Sequence, residues 1–167
     1  MARHFFALWP PEGAAESLEA LGRDLAGEFG GRPTARHKIH VTLAFLGEIE
    51  ADAVTRACEL AAGIRMTALD LVLDQAGWFR GPRVGWAGCS AVPAELANLA
   101  RSLAGALGGA GIAVDDRPYV PHATLVRKVA RPIDVRMVPP IGWRAQSFVL
   151  VASEGGNYRI RGRWETR

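Results

Sequence analysis

The sequence predicts an α+β fold in two pseudo-symmetric lobes, each an antiparallel-rich sheet flanked by helices, around a central cleft. Three observations predict it. Strand-like and helix-like segments alternate along 167 residues, a length that suits one compact domain. The tetrapeptide HVTL at 40–43 returns as HATL at 122–125, in a chain with four histidines. A helical segment also repeats: residues 17–31 over 95–109 match at eight of fifteen positions, with an offset of 78. In each half a strand precedes the helix and an H-x-T-L strand follows it. The chain therefore reads as a single bilobal domain over 1–167 with an internal duplication, its two motif strands at 38–46 and 120–128.

HFFALW at 4–9 is apolar and aromatic, which suits a first strand and lacks the long apolar stretch and cleavage site of a signal peptide. From Pro10 to Gly31 leucines recur at helical spacing between two prolines and a glycine pair, the punctuation of an amphipathic helix. KIHVTLAFLG is a strand ended by glycine, and ADAVTRACELAAG at 51–63 a second helix. ALDLVLDQAGWF at 68–79 alternates and is rich in β-formers, and RVGWAGCS at 83–90 follows it after an RGP turn. The third helix covers 93–109, and RPYVPHATLVRKV at 117–129 is a loop running into a strand. RAQSFVLVASE and YRIRGRWE close the chain as a hairpin around GGN.

Hydrophobic residues make up 49% and charged residues 22%, an ordinary globular mix, and no apolar run reaches the roughly 20 residues of a membrane span. The net charge is +3, and the last nine residues, RIRGRWETR, hold four arginines, a surface suited to a phosphate-bearing ligand. Cys58 falls in a helical pattern and Cys89 at a strand end, without CxxC spacing. Both read as buried thiols of a reducing cytoplasm.

The functional reading rests on the tetrapeptides. Side chains alternate along a strand, so His40 shares a face with Thr42, and His122 with Thr124. Two imidazoles facing each other suit acid–base work near neutral pH, one neutral and one protonated. Two hydroxyls beside them can donate to oxygens that gain charge. A phosphorus in a diester needs such a set of groups. Nothing in the residues themselves decides which histidine is the acid.

The paired motifs, together with FFALWPP at 5–11, GWF at 77–79, RPYVPHATLVRK at 117–128 and FVLVAS at 148–153, resemble the 2H phosphoesterases. Over almost its full length the chain is most similar to the RNA 2′,3′-cyclic phosphodiesterases long called 2′-5′ RNA ligases. The resemblance implies opening of a 2′,3′-cyclic phosphate on RNA to a 2′-phosphomonoester, in some members with reversible 2′-5′ joining of ends. It implies no metal and no nucleotide cofactor. His40 then corresponds to the proton donor to the departing 3′ oxygen, His122 to the base that activates water, and Thr42 and Thr124 to phosphate-oxygen ligands. Phe45 and Arg127, each five residues past its histidine, correspond to a nucleobase support and a phosphate ligand. Strict alternation places both on the face opposite their histidines, so a bulge or a strand end has to re-aim each of them, or Arg127 has to reach round an edge. The expected partner is RNA with a cyclic phosphate end, met by a cytoplasmic monomer that needs no membrane or protein partner. A non-catalytic RNA-end binder and a phosphodiesterase for small cyclic nucleotides are the alternatives.

Other features carry less. His37 and His40 form H-x-x-H, but on a strand the rings face apart, and His37 reads as a loop residue at the cleft rim. His4 has no assigned role. No GxSxG elbow occurs, and SEGGNYRIRG lacks a P-loop lysine at the required spacing. Trp78, Trp86, Trp143 and Trp164 read as core residues before they read as base-stacking ones. Tyr119, between Pro118 and Pro121, either lines the cleft or packs.

Overall fold

The computed structural model describes residues 1–166; Arg167, the last of the C-terminal arginines, lies outside the described residues. The fold is α+β, with three helices on a large antiparallel sheet. In chain order the elements are β1 (Arg3–Leu8), α1 (Glu12–Phe29), β2 (Arg32–Pro33), a single 3₁₀ turn (Arg36–Lys38), β3 (Val41–Glu48), α2 (Ala51–Ala62), β4 (Leu69–Phe79), β5 (Val84–Gly88), α3 (Ala94–Gly109), β6 (His122–Arg127), β7 (Arg136–Ala145), β8 (Ser147–Glu154) and β9 (Asn157–Glu165). The strand order is β7-β4-β5-β6-β3-β1-β8-β9, with β2 pairing on β6.

Two four-stranded halves meet in the middle of this order. Along the β3–β6 seam only Val41 and Ala123 pair, so the halves touch at one rung and splay on either side of it. The helices tie them together by crossing over. Helix α1, from the first half of the chain, packs on β5, β6 and β7. Helix α3, from the second half, packs on β3 and α2. Neither half can close its core without the other's helix.

All three helices cover the same face of the sheet. Leu18, Leu25 and Phe29 of α1, Val54, Ala57 and Ala61 of α2, and Leu96, Leu99, Leu103 and Leu107 of α3 enter one core with Phe6, Leu8, Leu43, Leu125, Phe148 and Leu150. Each such leucine or phenylalanine removed from water contributes about 1.5–3 kcal/mol. A smaller cluster of Phe5, Ala7, Val149 and Val151 sits on the other, helix-free face, capped by Trp9 and Tyr158. Strand alternation therefore sorts β1 cleanly: Phe6 and Leu8 to the helices, Phe5 and Ala7 to the open face.

Two glycines set close approaches. A Cβ on Gly22 would lie 2.9 Å from the Leu125 carbonyl oxygen, so the bare helix face lets α1 rest directly on β6. Gly31, at φ +110°, would put a Cβ 2.6 Å from the Arg127 carbonyl oxygen, and its left-handed backbone turns β2 onto β6.

Three expectations need correction. Strand β7, which contains Pro139 and Pro140, falls where no element is expected. It is the sheet's outer strand, where prolines are tolerated, and the register to β4 slips around the two prolines, between Ile141 and Met137. The segment before β3 is not strand from residue 38: His37 and Lys38 lie in the 3₁₀ turn, and His40 immediately precedes the strand. Cys58 and Cys89 are half-buried free thiols rather than fully buried ones. Burial pushes both thiols up, Cys89 to about 11, beside the charge of Asp74.

Candidate active site

The Val41–Ala123 rung acts as a local two-fold axis. Both of its side chains are fully buried on the helix side. Continuing the antiparallel register one residue either way sets Thr42 opposite His122 and His40 opposite Thr124, all four on the helix-free face. The charges of His122 and Arg127 both act on His40, so the two motif strands deliver their groups to one place.

Phe45 and Arg127 join this face by matched bulges. On β3, Thr42 pairs with Ala7 and Ala44 with Phe6, leaving Leu43 as the extra residue. On β6, Thr124 pairs with Trp86 and Val126 with Gly85, leaving Leu125 extra. The fourth residue of each tetrapeptide is thus the bulge, and it shifts the alternation by one. Beyond it, Leu46 and Val126 point into the core while Phe45 and Arg127 are exposed with the histidines' face. Because β3 and β6 run antiparallel from the shared rung, Phe45 stands at one end of the site and Arg127 at the other.

The two imidazoles are held alike. His40 Nδ1 lies 2.7 Å from the Lys38 carbonyl oxygen, and His122 Nδ1 lies 2.8 Å from that of Val120. A carbonyl only accepts, so each Nδ1 carries the proton and donates. In the neutral ring Nε2 is then the free base, available to a ligand on the open face. Both rings are oriented by the backbone two residues upstream, with no carboxylate involved.

Their surroundings differ, and this difference is invisible in the tetrapeptides. His40 is sandwiched between Phe5, with ring centres 4.7 Å apart and planes at 21°, and Trp9, at 4.9 Å and 16°. Tyr158 meets it edge-on at 5.8 Å. His122 meets a single ring, Phe79, edge-on at 4.9 Å. Desolvation in the aromatic sandwich pushes the His40 pKa down to about 4, helped by the charges of Arg127 and His122 and opposed by the Lys38 carbonyl. His122 is also lowered by burial, against the Val120 carbonyl. Burial thus favours the neutral form of both imidazoles.

Several residues find a place that the sequence left open. Tyr119 does not line the cleft; its hydroxyl donates to the Thr42 carbonyl oxygen at 2.9 Å, lashing the loop before His122 to the other motif strand. Asp115 accepts from the Arg117 backbone N–H at 3.1 Å and pairs with its guanidinium, which holds the Asp115 carboxyl down at about 2 and shapes the same loop. Trp78, Trp143 and Trp164 pack against the main core. Trp86 is the exception: it pairs with Thr124 in the ladder and leans on Phe79 at 5.6 Å, on the His122 wall. His4 is buried in β1 with its Nδ1 unpartnered, and desolvation lowers its pKa. Phe5, Trp9, Phe79 and Tyr158 were missed as site residues. The only signal for Phe5, Trp9 and Phe79 was the stretches FFALWPP and GWF, which carry the resemblance without assigning these rings a contact, and Tyr158 read only as part of the closing hairpin.

The profile of the family described as LigT like Phosphoesterase matches residues 8–86. The chain is 35% identical over 166 residues to the RNA 2′,3′-cyclic phosphodiesterase of Escherichia coli (strain K12), covering 95% of this chain and 91% of that one. It is 31% identical to the protein of the same name from Thermus thermophilus, over 91% and 82% of the two chains. The crystal structure of E. coli LigT in apo form superposes with a TM-score of 0.87 at 32% identity, covering 99% of this chain and 98% of that one. TT0787 of T. thermophilus superposes with a TM-score of 0.84 at 26% identity, over 99% and 98%. With relatives at this identity over most of both chains and the same fold, the chain belongs to the LigT-like phosphoesterase family.

Proposed function

We propose that this chain is an RNA 2′,3′-cyclic phosphodiesterase that hydrolyses the cyclic end to a 2′-phosphomonoester, using His40 as acid and His122 as base. The observation that carries the reading is the paired site about the Val41–Ala123 rung: two imidazoles with identical Nδ1–carbonyl bonds, each opposite the other motif's threonine. The relatives named above supply the substrate class.

In this mechanism the cyclic phosphate sits between the imidazoles. His122 Nε2 takes a proton from water as its oxygen bonds to phosphorus. The P–O3′ bond breaks, and His40 Nε2–H gives its proton to the leaving O3′. The non-bridging oxygens receive hydrogen bonds from the Thr42 and Thr124 hydroxyls. Each proton transfer contributes about 10²–10⁴ in rate. The different surroundings support the assignment of roles. His40, the more strongly depressed, is the stronger acid once protonated, and His122 keeps the greater proton affinity. The bound phosphodiester's negative charge raises both, so His40 gains its proton with the substrate. Arg127 adds a cation at the His40 end, and the exposed ring of Phe45 offers a face to the terminal base. If a 5′-hydroxyl of a second RNA replaces the water, the same steps join ends through a 2′-5′ link.

No helix among the described residues is long and apolar enough to cross a membrane. The two free thiols support a cytoplasmic location, and the proposed enzyme works as a monomer that needs no protein partner.

The experiment is product analysis on one RNA with a 2′,3′-cyclic phosphate end, with and without EDTA. The expected product is the 2′-phosphate alone, formed at the same rate in EDTA. A 3′-phosphate product, or activity abolished by EDTA, overturns the mechanism. Binding of the RNA without any turnover instead supports an end-binding protein.

A further inference from the structure

We propose that the cavity on the outer side of His40 is a second nucleotide subsite, which takes the nucleotide preceding the cyclic end and makes the enzyme prefer an oligonucleotide to a cyclic mononucleotide. This rests on the reading of the site given above.

The cavity has a volume of about 260 Å³. Trp9 and Tyr158, which enclose His40, also line it. Its floor is Val151 and the half-exposed Ile160, and its rim carries His37 and Lys38. The Lys38 ammonium lies 5.4 Å from the centre of the Tyr158 ring, so a cation stands beside an aromatic face. None of the six carries a negative charge. An apolar floor, two aromatic walls and a basic rim suit a nucleobase with its phosphate, by stacking and by charge.

Position identifies the occupant. The strand registers place Phe45, Phe5, Val151 and Ile160 in one row across β3, β1, β8 and β9. Three strand spacings, about 14 Å, separate the Phe45 end of the row from the Ile160 end. The Phe5–His40–Trp9 stack stands between them. A terminal base on Phe45 cannot also fill the cavity, whereas the next nucleotide along the strand reaches across the stack to it. His40 therefore works between two bound nucleotides rather than at the edge of one.

The test compares kcat/KM on a 2′,3′-cyclic mononucleotide with kcat/KM on a trinucleotide ending in the same cyclic nucleotide, in the wild type, Lys38→Ala and Ile160→Glu. The wild-type ratio should favour the trinucleotide roughly ten-fold or more, the range of one stacked base. Both variants should bring that ratio toward one, Lys38→Ala by removing the cation and Ile160→Glu by setting a carboxylate in the floor. Both positions are at least partly solvent-exposed, so a melting curve confirms that each variant folds. A wild-type ratio near one, or a ratio that neither folded variant changes, overturns the subsite. If neither substrate is turned over, the phosphodiesterase reading itself fails, and the subsite fails with it.

Discussion

Replacing either imidazole should lower kcat on a cyclic-phosphate RNA by about 10²–10⁴, the contribution of one positioned proton transfer. In His40→Ala no group near the leaving O3′ can protonate it, and in His122→Ala nothing takes the proton of the attacking water. The two act on one bond exchange, so the double variant should cost far less than the product of the single losses. Folding should survive, because neither ring belongs to the main core and the Nδ1 bonds run to their own local backbone. Single-turnover rates with enzyme in excess, alongside a thermal melt, check this. Either variant turning over within a few-fold of wild type would remove that histidine from the chemistry.

The second large effect is on stability, and it comes from Phe5. This ring is 5% exposed, lies under His40 and anchors the small cluster on the open face. Phe5→Ala should cost about 3–5 kcal/mol, as large-to-small changes at buried aromatics do, which for a chain of this size lowers Tm by roughly 10 °C. It should also release His40. Part of the desolvation that holds its pKa near 4 comes from this ring, so the NMR-detected value should rise toward 6.5 in the variant. The sign for stability follows. The unfolded chain binds the His40 proton near 6.5 and the folded one only near 4, so the wild type loses stability as pH falls through this window, with no such loss above it. Phe5→Ala should show a shallower loss over the same range. An unchanged His40 titration in a folded variant would mean that the sandwich does not set its pKa.

The chemistry was legible in the sequence because it is local and doubled. His-x-Thr-Leu states which side chains share a face, and its second copy at a matching place gives the partner. The helices were legible from leucine spacing and proline–glycine ends, since both signals live within one element. What alternation could not show was the bulge. It set Phe45 and Arg127 on the wrong face, and only the pairing with β1 and β5 reveals Leu43 and Leu125 as extra residues. Strand β7 was hidden for a related reason: whether two prolines break a strand depends on whether it is an outer one, which is a property of the whole sheet. The aromatic sandwich was hidden by distance, since Phe5, Trp9 and Tyr158 come from both ends of the chain and meet at His40 only after β1, β8 and β9 have paired. That sandwich makes the two imidazoles unequal, an asymmetry the twin motifs conceal.

The pH dependence of kcat/KM in the wild type and in each single-histidine variant tests the central claim most directly. The wild type should give a bell, with one limb near 4 and the other below 6.5, since both imidazoles are depressed in the free enzyme. His40→Ala should keep only the requirement for a neutral base, its residual rate rising with pH to a plateau. His122→Ala should keep only the requirement for a protonated acid, its residual rate falling as pH rises past about 4. A bell that persists in both variants would contradict the account, because its limbs would then belong to other groups.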